Sequence, residues 1–139
     1  MKINNVLIDS DIILDYFLDR QPFSENSSKI LALCDTGRLN GFVTGIAIAN
    51  IYFVLRKEHK SKTILQGIKV LLAFLDVIKV DKGIILKAID SEFSDFEDAL
   101  QNFSADSNSS INAIITRNIK DYKKSNLSIL TPSMFLKTL

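Results

Sequence analysis

The chain has 139 residues and a mass of 15.6 kDa, one domain's worth and enough to bury a core, and its 47% hydrophobic and 24% charged content excludes a disordered, collagenous or coiled-coil chain. A formal charge of +1 excludes the global basic field of a nucleic-acid binder with a pI above about 9, so any such binding has to be local. No apolar run exceeds six residues, Val70 to Leu75, against the roughly 20 needed to cross a bilayer, and Met1-Lys2-Ile3-Asn4-Asn5 opens no secretory apolar region; a single-domain protein of the cytoplasm, off the membrane, is expected.

Val6-Leu7-Ile8 is a short apolar run closed by Asp9, which reads as a buried first and central strand with a carboxylate at its C-terminal end. Residues 11–18 place Ile12, Ile13, Tyr16 and Phe17 at helical spacing, with Asp11 and Asp15 on another face, until Asp19-Arg20-Gln21-Pro22 interrupts the pattern. Ser24 to Thr36 continues as a second helix through Ile30, Leu31, Leu33 and Cys34, stopped by Gly37. Cys34 is the single cysteine, so it reads as a small buried hydrophobe in a reducing compartment. Phe42-Val43-Thr44 predicts a strand, and Ile46 to Arg56 a helix with a wide apolar stripe.

Lys62 to Asp76 predicts a helix carrying Ile64, Leu65, Ile68, Leu71, Leu72 and Leu75, followed by a strand over Val77 to Val80. Asp81 can cap a helix from Gly83 to Glu92, and Ser94-Asp95-Phe96-Glu97 matches a capping box that starts another helix at Asp95. Ile111 to Thr116 and Leu127 to Leu130 predict the last two strands. Thr131-Pro132 supplies a cap and a first helical residue for a closing helix that turns Phe135, Leu136 and Leu139 inward. Short apolar strands alternating with helices imply a parallel sheet covered on both faces.

Ligands of an open parallel sheet bind outside the carboxyl ends of its strands. Asp9 ends the first strand, Asp11 and Asp15 lie on the helix after it, Asp98 sits in the first turn beyond the capping box, and Asp121 follows the 111–116 strand. Residues 91–106 hold Glu92, Asp95, Glu97, Asp98 and Asp106 with no basic residue, whereas residues 56–69 hold Arg56, Lys57, Lys60, Lys62 and Lys69 against Glu58. Converging carboxylates repel one another unless neutralised, and hard oxygen donors suit Mg²⁺ or Mn²⁺. Such an ion activates water and clamps phosphodiester oxygens, so the implied reaction is in-line hydrolysis of a nucleic-acid backbone.

Each acid also has a plainer use. Asp9 suits capping of the next helix, Asp98 suits the positive end of its own helix, and Asp121 suits an ordinary surface loop, Lys120 to Lys124. Asp11 and Asp15 either support an ion or lie on a helix surface, and Asp95 and Glu97 read as capping and solvated residues. Other chemistries lack their parts: the five glycines form no phosphate-cradling loop, and one histidine with one cysteine cannot build a zinc site. His59, among Arg56, Lys57 and Lys60, reads as a solvated helix end, and no serine has the setting of a hydrolase nucleophile. Tyr16, Tyr52, Tyr122 and the nine phenylalanines are mostly at core spacing, though an exposed Tyr122 is available to stack on a base.

The segments Val6 to Asp15, Val43 to Lys57, Asp95 to Leu100, Thr116 to Tyr122 and Leu130 to Pro132, taken in that order, resemble the PIN-domain nucleases, among them the VapC-like ribonuclease toxins of bacterial toxin-antitoxin pairs. The resemblance implies a three-layer α/β/α sandwich around a parallel sheet of four to five strands, formed by residues 1–139 as one PIN-like domain. It further implies Asp9 and Asp98 as the main Mg²⁺- or Mn²⁺-binding carboxylates, Asp121 as a further metal-binding acid, and Ser10, Asp11, Thr116 and Asn118 as supporting residues. The family's usual glutamate after the second strand falls on Asn50 here, which removes a negative charge and implies weaker metal binding and lower activity. The implied substrate is single-stranded or structured RNA, with Arg56, Lys57 and Lys60 either on its phosphates or merely solvated; the implied partners are an antitoxin protein and a second copy of the chain. A degenerate domain that binds RNA or protein without cutting, or a plain scaffold, remains open alongside the enzyme.

Overall fold

The computed structural model describes residues 2–139, so Met1, at the head of the segment read for a secretory signal, lies outside them. The chain alternates as β1 (Asn5–Ile8), α1 (Ser10–Phe17), α2 (Ser24–Asp35), β2 (Asn40–Thr44), α3 (Gly45–Leu55), α4 (Ser61–Leu71), β3 (Leu75–Ile78), α5 (Lys82–Ile89), α6 (Phe96–Asp106), β4 (Ala113–Ile115), β5 (Ser128–Leu130) and α7 (Pro132–Leu136). A single 3₁₀ turn, Ile119–Tyr122, separates β4 from β5. All five strands run parallel in the order β3-β2-β1-β4-β5. β1, whose Val6, Leu7 and Ile8 are all fully buried, is the middle strand, where both faces and both edges are covered.

Alternation along β1 sorts the core into two layers. Val6 and Ile8 face the larger cluster, with Ile12 and Ile13 of α1, Ile30 of α2, Ile51 of α3, Ile64 and Ile68 of α4 and Phe135 of α7. Leu7 faces the other way, with Ile114, Ile111, Ala105 of α6 and Tyr122. The helices thus form two layers around the sheet, the covered parallel sheet that the alternation implies and the three-layer α/β/α sandwich that the resemblance implies, here with five strands. Among the described residues no helix is long and apolar enough to cross a membrane.

The third strand departs from the expected register. The strand starts at Leu75 rather than Val77, because Leu75 pairs with Gly41 and is buried, and α4 ends four residues before it. The apolar run 70–75 crosses the helix-strand junction without a break, so periodicity alone gives no sign of the change. At α6 the cap is Asp95, whose Oδ1 accepts from the Asp98 backbone N–H at 2.9 Å, leaving Ser94 outside the helix; aspartate serves this position as well as serine does. The closing helix stops at Leu136, and Leu139 is exposed rather than turned inward. Tyr16, Phe53 and Phe96 are likewise on the surface.

Cys34 is buried, and burial pushes its thiol up to about 12, so it is packing rather than chemistry. Gly37 ends α2 in the left-handed region at φ 78°, as a C-terminal glycine does. Gly41 is needed for space: a methyl added there meets the Leu75 side chain at 2.6 Å and Cys34 Sγ at 2.7 Å. Gly41→Ala is therefore expected to cost about 1–3 kcal/mol through overpacking between α2 and the sheet, measured as a lower urea midpoint at unchanged slope; an unchanged midpoint would contradict this packing.

Candidate active site

The strand order reverses direction on either side of β1, with β2 and β3 to one side and β4 and β5 to the other. The carboxyl ends of β1 and β4 flank that switch point, where an open parallel sheet leaves a crevice. Ile8 pairs with Ile115, so the next residues, Asp9 and Thr116, emerge side by side. The Asp9 N–H donates to the Ile115 carbonyl at 3.0 Å, and Thr116 Oγ1 donates to Asp9 Oδ2 at 2.8 Å. Asp9 also caps α1, its Oδ1 accepting from the Ser10 N–H at 2.7 Å. The capping use and the site use of Asp9 coincide in one side chain.

Two donors come from the opposite layer. Gln101 of α6 donates from Nε2 to Asp9 Oδ1 at 2.8 Å and to the Tyr122 hydroxyl at 3.2 Å. That hydroxyl lies 3.2 Å from Asp9 Oδ2 and 3.2 Å from Asp98 Oδ1, and so joins the two acids. Asp98 sits one turn before Gln101, half-buried. Burial first, then the charges of Asp9 and Asp95, push its carboxyl up to about 7. Glu97 is pushed upward too, by burial and then by Asp9.

Asp11 forms the near wall. Its Oδ2 accepts from the Arg117 N–H at 3.2 Å and from Asn118 Nδ2 at 3.4 Å, while its Oδ1 is buried without a partner. Burial, followed by the charge of Asp9, raises this carboxyl to about 7 as well. Asn118 is fixed in turn by its N–H, which donates to Thr116 Oγ1 at 3.1 Å. Asn50 of α3 donates from Nδ2 to Ser10 Oγ at 3.2 Å, which brings the amide to the start of α1 beside Asp9. Asp121 is partly exposed on the 3₁₀ turn, near enough for its charge to act on Asp98.

The structure overturns the reading of Asp15 and decides between the two uses of Tyr122. Asp15 is neither an ion's support nor a surface residue: it is fully buried and takes a bidentate pair from Arg117, Nε at 2.6 Å and Nη2 at 3.0 Å, with Arg20 at 3.6 Å. This pair ties the loop after β4 to α1 and so sets where the Arg117 N–H meets Asp11. Tyr122 is not free to stack on a base, because its ring is buried against Leu7, Ala105 and Ile114 and edge-on to Phe93. Arg56, Lys57 and Lys60 are exposed beyond the end of α3 and take part in no ion pair among the described residues; Arg56 rests over the Phe53 ring at 5.5 Å.

Gln101 is the residue that sequence reasoning missed. Its signal was there: an amide three residues after Asp98, in a stretch of α6 whose neighbours Ala99, Leu100 and Ala105 are apolar, is placed to share the face that Asp98 starts.

The donor set is all oxygen from carboxylates and hydroxyls, negative, and not neutralised by Arg117, whose guanidinium is committed to Asp15. Among the described residues no three acidic, histidine or cysteine side chains converge closely enough to hold a metal unaided. A hydrated Mg²⁺-like ion is commonly held by one or two carboxylates and completed by water and substrate phosphate, and Asp9 and Asp98 are the residues present that would hold one. The orphaned Asp11 Oδ1 points the same way.

A raised carboxyl stabilises the fold below its unfolded value near 3.9, and that contribution is lost as pH rises through about 7. Asp98→Asn mimics the protonated form. In chelator at pH 8 it should therefore melt above the wild type, with the gap closing toward pH 4; a lower melting temperature at pH 8 would contradict the assigned electrostatics.

Residues 5–120 match a family model described as PIN domain. Ribonuclease VapC1 of Aquifex aeolicus (strain VF5) is 27% identical over 140 residues, spanning 97% of this chain and 95% of that protein. A chain in the crystal structure of VapBC2 from Rickettsia felis bound to a DNA fragment from their promoter superposes with a TM-score of 0.68 at 14% identity, covering 91% of this chain and 98% of that one. A chain of a toxin-antitoxin complex from Klebsiella pneumoniae gives a TM-score of 0.68 at 20% identity, covering 91% and 97%. At such identities the solved structures speak for the shared fold.

Proposed function

The chain belongs to the PIN domain family, and from that premise we propose that it is a divalent-metal-dependent endoribonuclease that hydrolyses phosphodiester bonds of single-stranded or structured RNA as the toxin of a toxin-antitoxin pair, the whole chain acting as one domain. The observation that carries the reading is the pair Asp9 and Asp98, met on one tyrosine hydroxyl at the sheet's switch point. Support for the substrate class comes from the relative named a ribonuclease, which aligns over 97% of this chain. Support for a protein partner comes from the neighbours described as toxin-antitoxin complexes and from the exposed apolar side chains Phe53, Leu86, Ile89 and Phe96, which an antitoxin or a second copy would cover.

In this reading Asp9 and Asp98 would hold Mg²⁺ or Mn²⁺, with Asp121 as a further metal-binding acid and Asp11 in support. A bound dication supplies activation of water at neutral pH and relief of the charge that builds on the phosphate. The chain's own residues do the placing. The Ser10 N–H, Gln101 and Thr116 lock the Asp9 carboxylate, Asn118 and the Arg117 N–H lock Asp11, and Asn50 holds Ser10. Arg56, Lys57 and Lys60 are assigned to RNA phosphates, where they add affinity without sequence information. Asn50 contributes no charge, so the site holds a cation less firmly than one with a carboxylate there.

The test is cleavage of a mixed single-stranded and hairpin RNA by the wild type, Asp9→Asn, Asp98→Asn and Asn50→Glu, with Mg²⁺, with Mn²⁺ and in chelator. Metal-dependent cutting is expected, reduced more than about a hundredfold in either Asp variant, since loss of even a supporting partner of a ligand costs 10–100-fold, and enhanced in Asn50→Glu. One observation favours a second reading, a binding module: Asn50 spends its amide on Ser10 rather than offering an anionic oxygen. A wild type that cuts nothing while Asn50→Glu cuts would establish that reading, and absence of cutting in both would overturn the nuclease assignment.

A further inference from the structure

This inference concerns Tyr122 and rests on reading Asp9 and Asp98 as the residues that hold a divalent ion. The ring is 1% exposed and packed among Leu7, Ile114 and Ala105, so the hydroxyl has a fixed position. It accepts from Gln101 Nε2 and stands at 3.2 Å from both Asp9 Oδ2 and Asp98 Oδ1. A phenol has one proton, so it donates to one of the two carboxylates at a time.

Each carboxylate oxygen offers two lone-pair sites. On Asp9 all four are taken: Oδ1 by the Ser10 N–H at 2.7 Å and Gln101 Nε2 at 2.8 Å, Oδ2 by Thr116 Oγ1 at 2.8 Å and the Tyr122 hydroxyl at 3.2 Å. Direct ligation of a cation by Asp9 therefore requires one donor to leave. The Ser10 N–H is fixed at the head of α1. Gln101 already divides its two N–H groups between Asp9 and Tyr122, and Thr116 has no alternative acceptor among the described hydrogen bonds. Tyr122 makes the longest of the four contacts and has a second acceptor in reach, Asp98 Oδ1.

We propose that the Tyr122 hydroxyl is a positioning group that competes with the divalent ion for Asp9: without the ion its proton is shared between the two acids, and with the ion it is given to Asp98 Oδ1, which frees a lone pair of Asp9 Oδ2. The hydroxyl thereby stands in for the cation, holding two carboxylates together that would otherwise repel. It stabilises the metal-free fold and weakens metal binding with the same hydrogen bond.

The test compares wild type, Tyr122→Phe, Asp98→Asn and the double variant. Mn²⁺ affinity is read from the spin-resonance signal of the free ion, and melting temperature is read in chelator and at saturating Mn²⁺. Tyr122→Phe keeps the buried ring. It is expected to bind Mn²⁺ about tenfold more tightly, the scale of one hydrogen bond to a charged group, to melt lower than wild type in chelator and to gain more on adding Mn²⁺. A merely structural tyrosine would lower both melting temperatures equally and leave affinity unchanged or weaker, and that result overturns the proposal. Mn²⁺ binding that Asp98→Asn leaves intact overturns the metal-site reading and this inference together, whereas Asp98-dependent binding with unchanged affinity in Tyr122→Phe overturns the role of Tyr122 alone.

Discussion

The structure turns on one buried carboxylate. Asp9 is 5% exposed and receives hydrogen bonds from four elements: the head of α1, α6, the end of β4 and the 3₁₀ turn. A carboxylate so far from water is tolerable only when its lone pairs are met, and here meeting them fixes how both helical layers sit on the carboxyl edge of the sheet. The same donors that make Asp9 acceptable to the fold also aim it. Around it, Asp11 and Asp98 are less well met, and both carboxyls are raised to about 7 by burial and by Asp9 itself. The site is thus satisfied at its centre and frustrated at its rim, the electrostatic condition under which a cation is gained readily.

The second constraint is the Arg117–Asp15 pair. A fully buried aspartate needs its bidentate arginine, since removing one partner of such a pair leaves an uncompensated charge. The pair keeps Asp15 fully occupied by Arg117 and decides the path of the chain leaving β4. Arg117 also covers the Phe23 ring at 4.0 Å, so the same side chain seals the loop between α1 and α2. Folding and site assembly are in this way parts of one arrangement: the residues after β4 give Thr116 to Asp9, the Arg117 N–H and Asn118 to Asp11, and Tyr122 to both Asp9 and Asp98.

What the sequence made legible was whatever depends on chain-local pattern. The central strand ending in Asp9, the parallel alternation, the caps at Asp81 and Thr131, and the approach of Asp98 to Asp9 all follow from periodicity and strand-end logic. The illegible parts depend on which elements meet across the sheet. Asp15 reads as either an ion's support or a helix-surface residue because one buried face is expected of α1, whereas α2 and α3 pack on it from two sides and bury Ile12 through Asp15. For Tyr122 both core packing and exposure stay open because its neighbours Lys120, Asp121, Lys123 and Lys124 are charged; the 3₁₀ turn rotates it alone into the core. Gln101 shares the face of α6 that Asp98 starts, but only the meeting of α6 with the end of β1 brings its amide onto Asp9.

The central claim is that a divalent ion binds at the Asp9–Asp98 pair at the switch point of the sheet. The most direct measurement is substoichiometric Mn²⁺ added to ¹⁵N-labelled protein, followed by paramagnetic broadening of amide signals. The account predicts that Ser10, Asp98 to Gln101 and Thr116 to Asn118 broaden first, and that Asp98→Asn abolishes this pattern. Broadening confined to surface acids such as Glu25, Asp76 or Glu92, with the amides around Asp9 unaffected, would contradict it.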